Sequence, residues 1–268
     1  MICFPNAKIN LGLYVTEKRS DGMHNIETCM VPIPLFDILE ILPASKFSIE
    51  HYGIPIPGLY NNLIDKAWNL LLSVRKNIQP VKVCLYKNIP VGAGLGGGSS
   101  NAAFFLKQMN NSFNLGFTES NLELMAANIG ADCPFFMRNK TILASGIGNK
   151  FTPINNHVSG MFVTVIFPEI HISTKEAFIN MEVQKSTNLD KALGLNISKW
   201  KDCVKNDFEK TVLQEYPEIG KIKELLYNLG ATYSSLTGSG SAVYALSTKP
   251  LNINKLANMY AIWYGIIG

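Results

Sequence analysis

The chain has 268 residues, of which 47% are hydrophobic and 16% charged, and a formal net charge of +4. That is enough apolar material for one large domain or two closely packed ones, and it excludes an intrinsically disordered chain. The charge is too small and too scattered for a nucleic-acid-binding stripe, although a mild positive balance suits anionic small molecules.

Cys3, Cys29, Cys84, Cys133 and Cys203 are an odd number with no C-x-x-C pair. Neither a disulfide framework nor a zinc site is expected, and reduced thiols are the default. His24, His51, His157 and His171 show no metal-ligand spacing. The first residues lack the basic and apolar regions of a signal peptide, and the longest apolar runs are too short to span a bilayer. A cytoplasmic protein with no membrane partner is the expectation.

In chain order, Ile9, Leu11, Leu13 and Val15 alternate with Lys8, Asn10, Gly12 and Tyr14, predicting a strand over 7–15 with one apolar face. Ser20-Asp21-Gly22 supplies a turn. A strand pair is predicted between Ile26 and Ile49, with Pro32 and Pro34 confined to edges or bulges. Leu63, Ile64, Ala67, Leu70, Leu71 and Val74 recur at helical spacing over 62–76. A strand is predicted over Val81–Tyr86, then a glycine-rich turn, a helix from Ser99 to Gln108, and a helix capped by Thr118 or Ser120 that Gly130 ends. Strands over Lys140–Ser145 and Met161–Phe167 follow. Beyond them come a helix from Ser173 or Thr174 to Met181, one from Pro217 to Leu229, a strand over Ala242–Leu246 and a closing helix over Ile253–Trp263. Residues 182–210 carry no legible pattern. The sum is an α+β fold in two lobes, with a boundary near Thr152–His157 and hence expected domains 1–153 and 154–268.

The glycine turn is the feature with most chemistry. In Pro90-Val91-Gly92-Ala93-Gly94-Leu95-Gly96-Gly97-Gly98-Ser99-Ser100, five of the seven residues from Gly92 to Gly98 are glycine. Without Cβ atoms the backbone N–H groups can curl around a polyanion, and a helix opening at Ser99 offers further N–H groups and hydroxyls to phosphate. The dinucleotide pattern G-x-G-x-x-G is met, but some 80 residues precede it and Ser-Ser replaces an apolar packing face. The P-loop pattern fails because no lysine follows the glycines.

Three other places hold candidate groups. Lys8 and Asn10 share a strand face and can line a polar site, although a lysine there is also compatible with a solvated side chain. Asp132, in Gly130-Ala131-Asp132-Cys133-Pro134-Phe135, is either a helix cap or a general base in apolar surroundings. Leu236-Thr237-Gly238-Ser239-Gly240-Ser241 is either a tight strand entry or a loop that closes over an anion.

Taken in this order, the Pro90–Ala103 stretch, Ala7-Lys8-Ile9-Asn10-Leu11 with Asp21-Gly22-Met23-His24, the Asp132 motif and the 236–241 loop resemble the GHMP kinases, the superfamily of galactose, homoserine, mevalonate and phosphomevalonate kinases. The likeness runs from about residue 5 to residue 246, and four motifs in register make it specific. It implies the two-lobed GHMP-kinase fold. The branch it points to phosphorylates the 2-hydroxyl of 4-(cytidine 5′-diphospho)-2-C-methyl-D-erythritol with ATP and Mg²⁺. By that resemblance Asp132 accepts the hydroxyl proton, and Lys8 orients Asp132 and steadies the forming alkoxide. Pro90, Val91, Gly92, Ala93, Gly94, Leu95, Gly96, Gly97, Gly98, Ser99 and Ser100 hold the ATP phosphates, with Ser100 the candidate metal ligand beside Ser99. Asn10 contacts the methylerythritol end, His24 the cytosine edge, and Thr174 and Phe178 the CDP portion. Where that branch commonly carries aromatic residues, this chain has Met23 and Met30, which shifts the base contact toward Phe178. A kinase of another polyol or sugar, and a nucleotide-binding regulator without catalysis, are the competing readings. A monomer and a homodimer are both compatible with the sequence.

Overall fold

The computed structural model describes residues 1–56, 62–179, 181, 183 and 188–268. Two compact units emerge. The first comprises Met1–Ala7, Leu35–Val91 and Gly96–Lys140; the second comprises Lys8–Pro34, Gly92–Leu95 and Thr141–Gly268. A cut between residues 153 and 154 would fall inside the second unit, directly after a strand at Lys150–Pro153.

The first unit is built on a sheet of β1 (Ile2–Cys3), β4 (Ile38–Pro43), β6 (Val81–Lys87) and β5 (Ser48–Gly53), in that spatial order, with β5 parallel to β6. In β6, Val81, Val83 and Leu85 face inward while Lys82, Cys84 and Tyr86 face out, as the alternation predicts. The inward residues pack on Ala67 and Leu71 of α1 (Leu63–Val74) and on Ala102, Phe105 and Leu106 of α2 (Gly97–Ser112). Asn62 caps α1 by accepting from the Ile64 N–H. Thr118 and Asn121 form a reciprocal capping box on α3 (Glu119–Ala127). Cys133–Arg138 forms a short helix, α4, with Pro134 in its first turn.

The second unit holds two sheets. One has the order β2 (Asn6–Lys18), β3 (His24–Phe36), β7 (Ile142–Ser145), β8 (Lys150–Pro153), and the other β10 (Tyr233–Leu236), β11 (Val243–Ser247), β9 (Phe162–Phe167), β12 (Ala261–Ile266). Pro32 and Pro34 lie past the Thr28–Met30 stretch of β3 that pairs with β7, where a missing N–H breaks no ladder on that side. Leu13 and Val15 of β2 share a core with Val243 and Ala245 of β11 and with Ile219, Ile222 and Leu226 of α9 (Pro217–Asn228). Between β9 and α9 lie α5 (Thr174–Ile179), α6 (Leu189–Leu193), a 3-10 turn at Ile197–Lys199, α7 (Trp200–Cys203) and α8 (Phe208–Glu215). Residue 180, within the helix expected to reach Met181, lies outside the described residues, as do 182 and 184–187 of the segment without a legible pattern.

Two expectations are corrected. The closing helix is a strand: Ala261–Ile266 pairs antiparallel with Phe167–Phe162 of β9, completing the ladder along that strand's other edge. Local helical spacing yields to hydrogen bonds that only the tertiary fold supplies. The phosphate-loop helix also starts two residues earlier than expected, at Gly97, inside the glycine run. A Cβ on Gly97 would stand 2.9 Å from Ile89 Cγ2 and 3.0 Å from Lys87 Nζ, so the helix enters there because glycine leaves room. Among the described residues no helix is long and apolar enough to cross a membrane.

Candidate active site

In the second unit, β2 is buried on both faces from Lys8 to Val15, so the polar side chains of its second face are enclosed. Lys8 is only 3% exposed and Asn10 only 1%. Lys8 Nζ donates to Asn10 Oδ1 at 2.7 Å. Asn10 is held on every side: its Nδ2 donates to Thr28 Oγ1 at 3.0 Å, its N–H to Thr237 Oγ1 at 3.2 Å, and its carbonyl accepts from the Tyr244 hydroxyl at 2.8 Å. The alternation that put Lys8 and Asn10 on one face is therefore present, and it ends in a fixed hydrogen bond.

The first arm of the glycine loop belongs to the same unit. Lys8 N–H donates to the Leu95 carbonyl at 3.0 Å, Ala242 N–H to the Ala93 carbonyl at 3.2 Å, and Thr237 Oγ1 to the Gly94 carbonyl at 3.1 Å. Gly94 has φ +76°, and a Cβ there would stand 2.0 Å from the Thr237 carbonyl oxygen. Only glycine permits that approach. Nearby in the chain, Pro90 is half-buried and Val91 and Gly92 are exposed.

In the first unit, Gly96 takes the N-cap position of α2 in the left-handed region, with no side-chain capping bond. The first turn contains no acidic residue. Its N–H groups and the positive end of the helix dipole thus suit an anion at Gly97, Gly98 and Ser99. Among the described residues Ser100 Oγ is buried without a hydrogen-bond partner, an orphaned donor-acceptor at the same turn. A phosphate oxygen or a hard cation such as Mg²⁺ fits that hydroxyl. Among the described residues no three His, Cys, Asp or Glu side chains are grouped to hold a metal by themselves.

Asp132 is the N-cap residue of α4, and its side chain makes no capping bond. It adjoins the phosphate helix through its neighbour. The Cys133 thiol is hydrogen-bonded to Ser99, and a Cβ on Gly130 would lie 3.3 Å from Cys133 Sγ and 3.8 Å from Ser99 Oγ. Burial pushes the Cys133 thiol up to about 12, so it stays protonated beside the site.

Beneath α2 lies a pair that sequence reasoning missed. Lys87 Nζ meets Asp37 Oδ2 at 2.5 Å and Asn101 Oδ1 at 3.3 Å, while Asp37 Oδ1 accepts from the N–H groups of Asn88 and Ile89 at 2.8 Å each. Burial lowers the Lys87 pKa, and the Asp37 carboxylate opposes that shift. The sequence signal was a lysine just before the glycine turn, with its partner fifty residues upstream.

The residues expected around a cytidine group come together in the second unit. His24 and Phe178 are stacked, with ring centroids 4.8 Å apart and planes 16° from parallel, and Phe178 meets Phe208 edge-on. Thr174 Oγ1 lies 3.0 Å from Ser239 Oγ, tying α5 to the 236–241 loop. Met23 is exposed beside His24. Met30 is not: it is buried in β3, and its methyl group would lie 3.6 Å from a Cβ on Gly148, so it belongs to the core rather than to a base-contact face.

Residues 62–140 match the GHMP kinases N terminal domain, and residues 185–265 match the GHMP kinases C terminal domain. The chain belongs to the GHMP kinases. It is 48% identical, over 252 residues and 92% of both chains, to a 4-diphosphocytidyl-2-C-methyl-D-erythritol kinase of Bacteroides thetaiotaomicron. It is 44% identical to a protein of that name from Cytophaga hutchinsonii, with 93% of this chain and 94% of that one covered. Among solved structures, a 4-(cytidine 5′-diphospho)-2C-methyl-D-erythritol kinase superposes with a TM-score of 0.86 at 28% identity, covering 100% of this chain and 99% of the other. The mevalonate kinase of Methanococcus jannaschii shares the fold, with a TM-score of 0.71 at 16% identity over 100% and 98% of the two chains. The α+β architecture implied by the motifs is thus the GHMP-kinase fold.

Proposed function

We propose that this GHMP kinase transfers the γ-phosphoryl group of ATP to the 2-hydroxyl of 4-(cytidine 5′-diphospho)-2-C-methyl-D-erythritol, giving the 2-phosphate and ADP, in the non-mevalonate route to isoprenoid precursors. The observation that carries this is the 48% identity over 92% of both chains to a kinase named for that substrate. Conserving that much sequence over the full length leaves little room for a different acceptor site.

In this reading Asp132, at the N-cap position of α4, accepts the hydroxyl proton. The Lys8 ammonium, held at a fixed angle by Asn10, stabilises negative charge on the attacking oxygen. The stretch from Pro90 to Ser100 holds the phosphates, chiefly through the first-turn N–H groups of α2. Mg²⁺, when bound, neutralises charge on the phosphate oxygens, and Ser100 Oγ is the side-chain oxygen that would hold it. Asn10 serves the acceptor end through Lys8, because its own amide is enclosed. His24 and Phe178, stacked on each other, contact the cytosine end, with Thr174 beside the diphosphate. Residues 1–153 carry ATP binding and catalysis together with Asn10 and His24, and 154–268 add Thr174 and Phe178 to the acceptor side.

The test is ADP release by the purified protein with Mg-ATP and the CDP-linked acceptor, beside free methylerythritol and a polyol panel. Turnover confined to the CDP-linked acceptor is expected. Equal or better turnover of a simple polyol would assign the chain to another branch, and the exposed Met23 would then be the first residue to examine.

A further inference from the structure

The segment without a legible pattern ends in a strap that lies along β2. Leu13 N–H donates to the Lys205 carbonyl at 2.9 Å, Asp207 N–H to the Leu13 carbonyl at 2.8 Å, and Val15 N–H to Asp207 Oδ2 at 2.8 Å. These bonds fix Asn206 between them, where it is 3% exposed. Its amide Nδ2 donates to two carbonyls, those of Leu236 and Gly238, both at 2.9 Å, and its Oδ1 accepts from Phe208 N–H at 3.0 Å.

Those two carbonyls flank Thr237. The Thr237 hydroxyl accepts from the Asn10 N–H at 3.2 Å and shares its one proton between the Gly94 carbonyl at 3.1 Å and Asn10 Oδ1 at 3.3 Å. Asn10 Oδ1 in turn accepts from Lys8 Nζ. The loop packs closely on the glycine turn: Gly238 has φ +56°, and a Cβ there would stand 3.2 Å from Gly94 Cα. A loop so tightly approached needs an external clamp, and Asn206 is the side chain that grips it on both sides of Thr237.

We propose that Asn206 is a positioning residue for phosphoryl transfer, fixing the Lys8 ammonium through Thr237 and Asn10. The inference rests on Lys8 stabilising charge in the reaction proposed above. Asparagine is required by the donor count, because two carbonyls need two N–H donors while a backbone N–H needs an acceptor. Aspartate has the same shape and no donor, so it would set a carboxylate against two carbonyl oxygens.

The test compares Asn206→Asp, Thr237→Val and Thr237→Ser with Lys8→Ala. Displacing the ammonium by an ångström should cost about 10²-fold in kcat, with KM for ATP nearly unchanged, in both Asn206→Asp and Thr237→Val. Thr237→Ser, which keeps the hydroxyl, should restore most of the loss. The double variant Asn206→Asp/Lys8→Ala should be no slower than Lys8→Ala alone, because both act through one group. Losses that multiply, or a Thr237→Val enzyme with wild-type kcat, would overturn the relay. A second readout needs no substrate: hydrogen exchange at the Asn10 amide should quicken in Asn206→Asp and Thr237→Val while the α9 amides keep their protection. Unchanged exchange at Asn10 in both variants would overturn the proposal even in an active enzyme. Wild-type protein that fails to phosphorylate the CDP-linked acceptor would instead overturn the reaction, leaving the exchange result to judge the clamp.

Discussion

Asp132 and Lys8 sit on different elements, and the roles proposed for them predict how each variant fails. Asp132 stands at the N-cap of α4 without capping it, so Asp132→Asn removes the proposed base and leaves the helix start intact. Turnover should fall by roughly 10²–10⁴-fold, as for loss of a general base, with ATP affinity close to wild type by titration calorimetry. Near-full activity in that variant would remove the base assignment. Lys8→Ala should lower kcat and kcat/KM together while leaving KM nearly in place, since in the proposed reaction the ammonium acts in the transition state. At this scale much was legible in the sequence: Lys8 and Asn10 on one strand face, Asp132 before its proline, and the glycine run are all local patterns. What was not legible is the hydrogen bonding that gives them roles. Asn10 is tied to Thr237, over two hundred residues away, and no spacing rule connects them. The sequence thus places Asn10 on one face with Lys8, and the structure adds the bonds from Lys8 Nζ to its Oδ1 and from its N–H to Thr237.

Among the elements, α2 depends on a buried ion pair that the sequence conceals. Lys87 and Asp37 are almost wholly enclosed, with side chains 3% and 0% exposed, and Asn101 of α2 donates to the same Asp37 oxygen at 2.8 Å. Asp37→Ala would leave the ammonium buried beneath the glycine turn without its counter-ion, a change that typically costs about 3–5 kcal/mol. The expected result is a lower urea midpoint, and restoration of a good part of it by Asp37→Ala/Lys87→Met, which removes the second charge as well. A double variant no more stable than the single one would show that the pair stabilises more than it costs to bury. The boundaries of the elements divide along the same line. Helices with their own caps, such as α1 and α3, are written locally, and their starts at Leu63 and Glu119 agree with the cap residues in the sequence. The strand β12 depends on the edge of β9, a hundred residues earlier, and so its sequence was open to a helical reading.

For the whole molecule, the chain builds two cores without being two consecutive halves. It passes between the compact units after Ala7, Pro34, Val91, Leu95 and Lys140, so residues from the first strands complete the core of the second unit. Composition cannot reveal such interleaving, because each segment taken alone has an ordinary apolar content. A property of the entire fold does follow from where its weak acids lie. Burial pushes Cys3 up to about 11 and Cys29 and Cys133 up to about 12, from an ordinary value of 9.0. Burial also raises Tyr14, Tyr227, Tyr233 and Tyr244 above their ordinary value of 10.0. Each of these groups binds its proton more tightly when folded than when unfolded. Their contribution to stability is therefore complete below the unfolded values and declines as pH rises toward the folded ones. Lys87 and Lys107, both lowered by burial, work in the opposite direction near their ordinary value of 10.5, but they are two groups against seven. The urea midpoint should accordingly hold steady from about pH 7 to about pH 8.5 and fall steeply above about pH 9. Cys29→Ala should start from a lower midpoint yet lose less of it over the alkaline range. A midpoint that stays flat to about pH 10.5 in the wild-type protein would mean that these thiols and phenols ionise in the folded state as readily as in the unfolded chain.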